Sequence, residues 1–166
     1  MPQKPSSILI YVYSRSGHSR RVAEHLGNYL GVAPFEVTTC RYSWPVLSWI
    51  TAARDGMRGR AVPLDQSLDL PEGGLVVLVG PVWAGGVGAP LNTLIDALAN
   101  GEQDVAVLLT CDDPNELTAS LHKIAERLRR PLKGKMVLSN GVQDTSEGHE
   151  RIRAFAEALG VQVTAQ

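Results

Sequence analysis

The residues with the most chemistry to offer are Ser14-Arg15-Ser16-Gly17-His18-Ser19, with three hydroxyls, a glycine, a cation and a histidine in six positions. Hydroxyls donate hydrogen bonds without adding charge. The residues that follow read as the start of a helix, where the first backbone N–H groups lack partners and carry partial positive charge. A phosphate suits such a loop. One serine would serve as a helix cap; three with Gly17 exceed that need. Two other stretches also carry unusual chemistry. Pro81-Val82-Trp83-Ala84-Gly85-Gly86 joins an indole to a glycine pair, and Thr110-Cys111-Asp112-Asp113-Pro114-Asn115 brings a thiol and two carboxylates. No Ser-His-Asp set, metal-ligand spacing or acid–base pair stands beside them, so no independent catalytic machinery is legible.

Periodicity supplies the elements that must position these stretches. Ile8–Tyr13 is a continuous apolar run, as expected of a strand covered on both faces. Val22, Ala23, Leu26, Tyr29 and Leu30 fall on one helical face, and Gly31 and Pro34 stop that helix. Phe35–Thr39 alternates as a short second strand. Val46, Trp49, Ile50, Ala53 and Met57 predict a helix over about Trp44–Arg58 with those residues inward, followed by a connecting loop over 59–73. Leu75–Val79, Val105–Leu109 and Lys135–Ser139 are further strands. The remaining helices carry Leu91, Leu94, Ile95 and Leu98; Leu117, Leu121, Ile124 and Leu128; and Ile152, Phe155, Ala156 and Leu159.

Five strands alternating with five helices imply an α/β fold, a parallel sheet covered on both faces in a three-layer, doubly wound domain. Ligands of such sheets bind outside the carboxyl ends of the strands at the topological switch point. The loops 14–19, 81–90 and 110–115 all fall at those ends. Length agrees with one domain over residues 1–166.

Composition narrows the partners. A net charge of −1 exerts no overall pull on nucleic acid or anionic membrane. No apolar run approaches the roughly 20 residues that span a bilayer. Met1–Ser7 runs straight into a strand without the pattern of a signal peptide. Two cysteines, Cys40 and Cys111, make no disulfide framework. A cytoplasmic protein is expected.

Several doubly wound families share this plan, and the first loop separates them. Ser14 and Gly80 stand where a response-regulator receiver needs acids. No Cys-x5-Arg loop follows the first strand, as a low-molecular-weight tyrosine phosphatase would require. The loop has one glycine where a dinucleotide-binding Rossmann domain has three. What remains resembles the flavodoxin family. Ser14-x-Ser16-Gly17-x-Ser19 matches its phosphate-loop pattern at every specified position, and Gly80-Pro81-Val82-Trp83-Ala84-Gly85-Gly86 resembles its second flavin loop. The likeness extends over nearly the whole chain and implies a flavodoxin-like sheet of order 2-1-3-4-5.

The resemblance also implies bound FMN. Its phosphate would lie on Ser14, Arg15, Ser16, Gly17, His18 and Ser19. Its ring would lie between Pro81, Val82, Trp83, Ala84, Gly85 and Gly86 on one side and Cys111 and Asp112 on the other. Three departures stand out: His18 replaces a common asparagine, Arg15, Arg20 and Arg21 make the loop basic, and the third loop lacks a covering aromatic residue.

Each of these residues also has a plain structural reading. Trp83 either stacks on a flavin or plugs a loop against the sheet, and Gly85 and Gly86 either admit a backbone group to flavin N5 or relieve strain. Cys111 reads better as a buried thiol than as a redox group. His25, His122 and His149 read as surface residues, and Arg54, Arg58 and Arg60 as a solvated helix face. The five cations of Arg127–Lys135 complement a helix C-terminus. Trp44 and Trp49 are expected in the core or at an oligomer contact.

Three functions stay open: an FMN electron carrier docking with a redox partner, an FMN-dependent reductase passing hydride from NAD(P)H to a quinone-like acceptor, and an interaction module of this fold without flavin. The oligomeric state is not legible.

Overall fold

The computed structural model describes residues 7–43, 47–113 and 118–160. Ile8–Val12 (β1), Phe35–Glu36 (β2), Leu75–Trp83 (β3), Asp104–Cys111 (β5) and Gly134–Ser139 (β6) form a parallel sheet of order β2-β1-β3-β5-β6. This is the expected 2-1-3-4-5 order. A sixth strand, Gly86–Val87 (β4), lies off that path and pairs antiparallel with the end of β3.

Side-chain alternation on the strands divides the core into two layers. On one face Ile10, Val12, Val77, Val79 and Leu108 meet Val22 and Leu26 of α1 (His18–Leu30) and Ile152 and Phe155 of α5 (Ser146–Ala158). On the other, Tyr11, Val76, Leu78, Val107 and Leu109 meet Leu91, Leu94 and Leu98 of α3 (Ala89–Leu98) and Ile124 and Leu128 of α4 (Thr118–Leu128). The near-continuous apolar runs of β1, β3 and β5 follow from being covered twice. Gly31 ends α1 at φ 68°, as its position predicts.

The structure departs from the sequence reading in four places. β2 is two residues long, because a neighbouring loop captures the rest of the predicted strand. The Thr38 N–H donates to Gln66 Oε1 at 2.9 Å, and the Thr39 hydroxyl to the Pro63 carbonyl at 2.7 Å. β3 runs on through Pro81 to Trp83 and turns back through Ala84 and Gly85, both at positive φ (49° and 73°). That pair makes the two-residue hairpin connection whose twist suits antiparallel strands. A Cβ on Gly86 would collide with the Gly56 carbonyl, so a helix packs backbone to backbone on the hairpin.

That helix, α2 (Leu47–Met57), is turned opposite to expectation. Its buried residues are Ser48, Ala52, Asp55 and Gly56, while Trp49, Ile50 and Met57 face outward. Trp44 and Val46 lie outside the described residues. Asp55 fixes the orientation. It is 2% exposed and accepts from Arg41 Nε at 2.8 Å and the Tyr42 hydroxyl at 3.1 Å, with Arg60 at 3.7 Å. Burial alone would raise the Asp55 pKa, but Arg41, Tyr42 and Arg60 outweigh it and hold the carboxyl below its usual range.

The fourth departure concerns histidines. His122 is exposed and pairs with Glu126, but His25 and His149 are half-buried, ring against ring at 4.2 Å between α1 and α5. The basic run after residue 126 is structural: Arg127 forms a bidentate pair with Asp96, and Arg130 donates to the Leu98 and Gly101 carbonyls that end α3.

Candidate functional site

β1 delivers Ser14–Ser19 to the carboxyl edge of the sheet, between β2 and β3, where the chain switches direction. Gly17 is the N-cap of α1 at φ 89°, a conformation that costs other L-residues about 1–2 kcal/mol. The Ser14 hydroxyl accepts the Gly17 N–H at 3.1 Å and holds the turn closed. The first intrahelical bond runs from the Arg21 N–H to the Gly17 carbonyl at 3.1 Å. The N–H groups of His18, Ser19 and Arg20 therefore precede the helical ladder. No side chain caps them, and no acid lies in the first turn. Ser16 is exposed at the same end. An uncapped helix start beside a free hydroxyl has the donor set a phosphate monoester requires.

The three arginines of this region are committed elsewhere. Arg20 makes a two-bond pair with Glu36 at 2.6 and 2.8 Å. Arg21 reaches Asp144 at 3.4 Å and His18 Nδ1 at 3.1 Å. Arg15 turns to α2, donating to Ser48 Oγ at 2.6 Å with its guanidinium 4.2 Å from the Trp49 ring centroid. The loop's basic composition is thus largely internal pairing. Gln143, itself 1% exposed, donates to His18 Nδ1 at 2.6 Å. Arginine can only donate, so His18 Nδ1 is the acceptor in this contact.

Contacts gather the three loops at one edge. Ser19 is buried and shares a 2.7 Å hydroxyl–hydroxyl bond with Thr110 on β5, which joins the first loop to the third. Trp83 packs edge-on against Tyr13 at 5.7 Å and at a tilt against Trp49 at 6.3 Å, which joins the first loop to the second. Pro81 pairs with Thr110 in the β3–β5 register, and Val82 and Gly86 lie in the hairpin ladder. The Ser120 hydroxyl of α4 holds the Gly85 carbonyl at 2.9 Å. The tip at Ala84 and Gly85 is therefore strapped on one side to α4 and on the other, through Gly86, to α2.

At the end of β5 the Cys111 thiol is buried. Desolvation, aided by the charges of Asp112 and Asp113, pushes its pKa up to about 11. A thiol so held stays protonated near neutrality and is a poor nucleophile. Asp112 is exposed and accepts from Asn140 Nδ2 at 2.8 Å. Pro114, Asn115 and Leu117 lie outside the described residues. Beside the first loop an open cavity of about 220 Å³ is lined by Tyr13, Ser14, Arg15, Thr38, Thr39 and Tyr42 among others.

Sequence reasoning did not anticipate Ser48, Trp49 or Gln143 in this neighbourhood. Gln143 had no local signal. Ser48 and Trp49 had one: a serine beside an indole on a helix that also carries Asp55, an acid among apolar residues that had to be buried with partners or exposed.

No protein-family model matches the chain, and no curated protein matches it in sequence. Solved structures match most of it. A flavoprotein in complex with FMN from Lactobacillus acidophilus NCFM is 22% identical over 80% of this chain and 93% of its own, with a TM-score of 0.64. A putative flavoprotein from Bacteroides uniformis ATCC 8492 is 16% identical over 93% and 99%, with a TM-score of 0.66. Oxidised flavodoxin 2 from Bacillus cereus is 22% identical over 93% and 98%, with a TM-score of 0.57. The fold is flavodoxin-like.

Proposed function

We propose that this chain is a single flavodoxin-like domain that binds FMN and transfers electrons through it. The observation that carries the reading is the uncapped N-terminus of α1, with Ser16 exposed beside it, at the switch point of a β2-β1-β3-β5-β6 sheet. A flavoprotein of the same fold is described in complex with FMN.

The N–H groups of His18, Ser19 and Arg20 and the Ser16 hydroxyl would hold the phosphate. The buried Ser19–Thr110 bond positions the loop that presents them. Trp83 and the Ala84-Gly85 tip would flank the ring on one side, with Cys111 and Asp112 on the other. FMN, when bound, supplies one- and two-electron redox chemistry; the protein supplies binding, orientation and tuning. The carboxylates of Asp112 and Asp113 oppose added negative charge at the ring and lower its potential. Cys111 has no redox part in this scheme, because its thiol stays protonated. No helix among the described residues is long and apolar enough to cross a membrane, and both cysteines are free, which supports a cytoplasmic protein.

Purified protein reconstituted with FMN tests the reading. A shifted flavin absorption band with quenched fluorescence is expected, and no binding at micromolar FMN would leave an interaction module without flavin. NAD(P)H oxidation in the presence of a quinone then separates a reductase from a carrier.

A further inference from the structure

α2 exposes the wrong side of itself for a helix that serves only the core. Leu47, Trp49, Ile50 and Met57 are 67%, 53%, 69% and 62% exposed, while Ser48, Ala52 and Asp55 are buried. Leu47, Ile50, Arg54, Met57 and Arg58 follow helical spacing and form one outward stripe, with Trp49 beside it. Arg54 and Arg58 form no ion pair among the described residues. Residues 41–60 hold four arginines and a single acid, Asp55, a net +3 in a chain whose total is −1. The rest of the chain therefore carries −4, and the apolar stripe lies in a basic segment. Complementing a helix C-terminus accounts for Arg54 and Arg58 but not for the bare side chains of Leu47, Ile50 and Met57 in water. Exposed apolar patches bordered by charge mark interaction sites.

We infer that the outward face of α2 is the docking surface for a small acidic electron-transfer protein. The inference rests on the flavin reading, and three observations select the occupant. Trp49 borders the stripe and lies 6.3 Å from Trp83, so a partner seated there adjoins the proposed ring site. The charge is positive, which attracts an acidic partner and repels a basic one. A second copy is disfavoured, because an isologous α2–α2 contact would bring Arg54 and Arg58 of both copies together. The helix has 11 residues, about 16 Å of length. Such a face matches weak electron-transfer encounters, below about 1,200 Å², rather than obligate dimers of 2,000 Å² or more.

The test uses an acidic [2Fe–2S] ferredoxin as probe. Amide resonances of the isotope-labelled, FMN-treated protein are followed as the ferredoxin is added at low salt, and affinities are measured by calorimetry. Shifts are expected to centre on α2 and to fade by 0.5 M salt. Arg54→Glu with Arg58→Glu is expected to weaken binding at least tenfold, and Ile50→Gln, which leaves the charge of the stripe unchanged, to do so as well. The control Lys135→Glu with Arg153→Glu, which makes the same change in net charge on other elements, is expected to stay within twofold. Absence of shifts on α2, or equal effects of the two charge reversals, would overturn the inference. So would a wild-type dimer in sedimentation that Ile50→Gln dissolves, since the face would then belong to a second copy. FMN titration of the same samples keeps the two readings apart. Docking without FMN binding supports this surface and contradicts the flavin reading; FMN binding without docking overturns this surface alone.

Discussion

The guanidinium of Arg15 lies 4.2 Å from the centroid of the Trp49 ring, while its Nη2 holds the Ser48 hydroxyl at 2.6 Å. A cation in the middle of a phosphate-loop motif is thus spent on fastening the neighbouring helix. Arg15→Met, which keeps the stem and removes the charge, is expected to loosen α2 and destabilise the fold by about 1–2 kcal/mol. FMN affinity is expected to change less than threefold. Urea denaturation and a flavin titration of the same variant check both halves.

Ser16 has the opposite expectation. It is exposed at the helix start with no structural bond to lose, so Ser16→Ala should leave stability within about 0.5 kcal/mol. Loss of a charge-assisted bond to phosphate should weaken FMN by roughly tenfold and leave riboflavin unaffected. Ser19→Ala differs again, because it strands the buried Thr110 hydroxyl and lowers stability as well as affinity. Paired FMN and riboflavin titrations with denaturation curves distinguish the two serines.

Asp55 is the keystone of the α2 orientation. Asp55→Ala removes bonds to Arg41 and Tyr42 and is expected to cost about 2–3 kcal/mol, less than a fully buried pair because the guanidiniums left behind are solvated. The folded-state pKa of Asp55 is lowered from 3.8. Its stabilisation is therefore complete above that value and is lost as pH falls through the lower folded value. The acid limb of the stability curve below pH 4 should flatten in Asp55→Asn.

His25 gives a separate pH limb. Burial, then the neighbouring His149, lowers its pKa from 6.5 against the pull of Asp144 and Glu24, with Arg21 adding to the depression. The unfolded chain takes up this proton first as pH falls. Stability is thus full above pH 6.5, declines below it and levels off beneath the folded value. His25→Gln should remove this limb in denaturation series between pH 5 and 8.

Much of this architecture was legible because burial on two faces forces continuous apolar strands. β1, β3 and β5 could be read that way, and Gly31 marked the end of α1. That Ser14–Ser19 would open α1 at the end of β1 was legible from the apolar patterns on either side; that Ser14 would close the turn on the Gly17 N–H and Ser19 bond to Thr110 was not. The orientation of α2 was not. Periodicity reveals that a helix has an apolar face; it does not reveal that Asp55, with Arg41, Tyr42 and Arg60 to satisfy it, will claim the inside. The β3–β4 hairpin was hidden by Pro81 and by a turn lacking the usual asparagine. The meeting of His25 with His149, and of Gln143 with His18, depends on α1 and α5 packing together across more than a hundred residues. No local pattern records such a contact.

The hairpin offers one more check. Ala84 sits at φ 49°, where glycine is easier, while Gly86 meets the Gly56 carbonyl. Ala84→Gly should be neutral or stabilising by up to about 1 kcal/mol, and Gly86→Ala destabilising by more than that, as thermal denaturation would show.

The start of α1 is proposed to hold the phosphate of a flavin nucleotide. Titrating the purified protein with FMN and with riboflavin, read by flavin fluorescence, tests it most directly. FMN is expected to bind at micromolar affinity or tighter and at least a hundredfold more tightly than riboflavin. Equal affinity for the two, or no FMN binding at micromolar concentration, would contradict it.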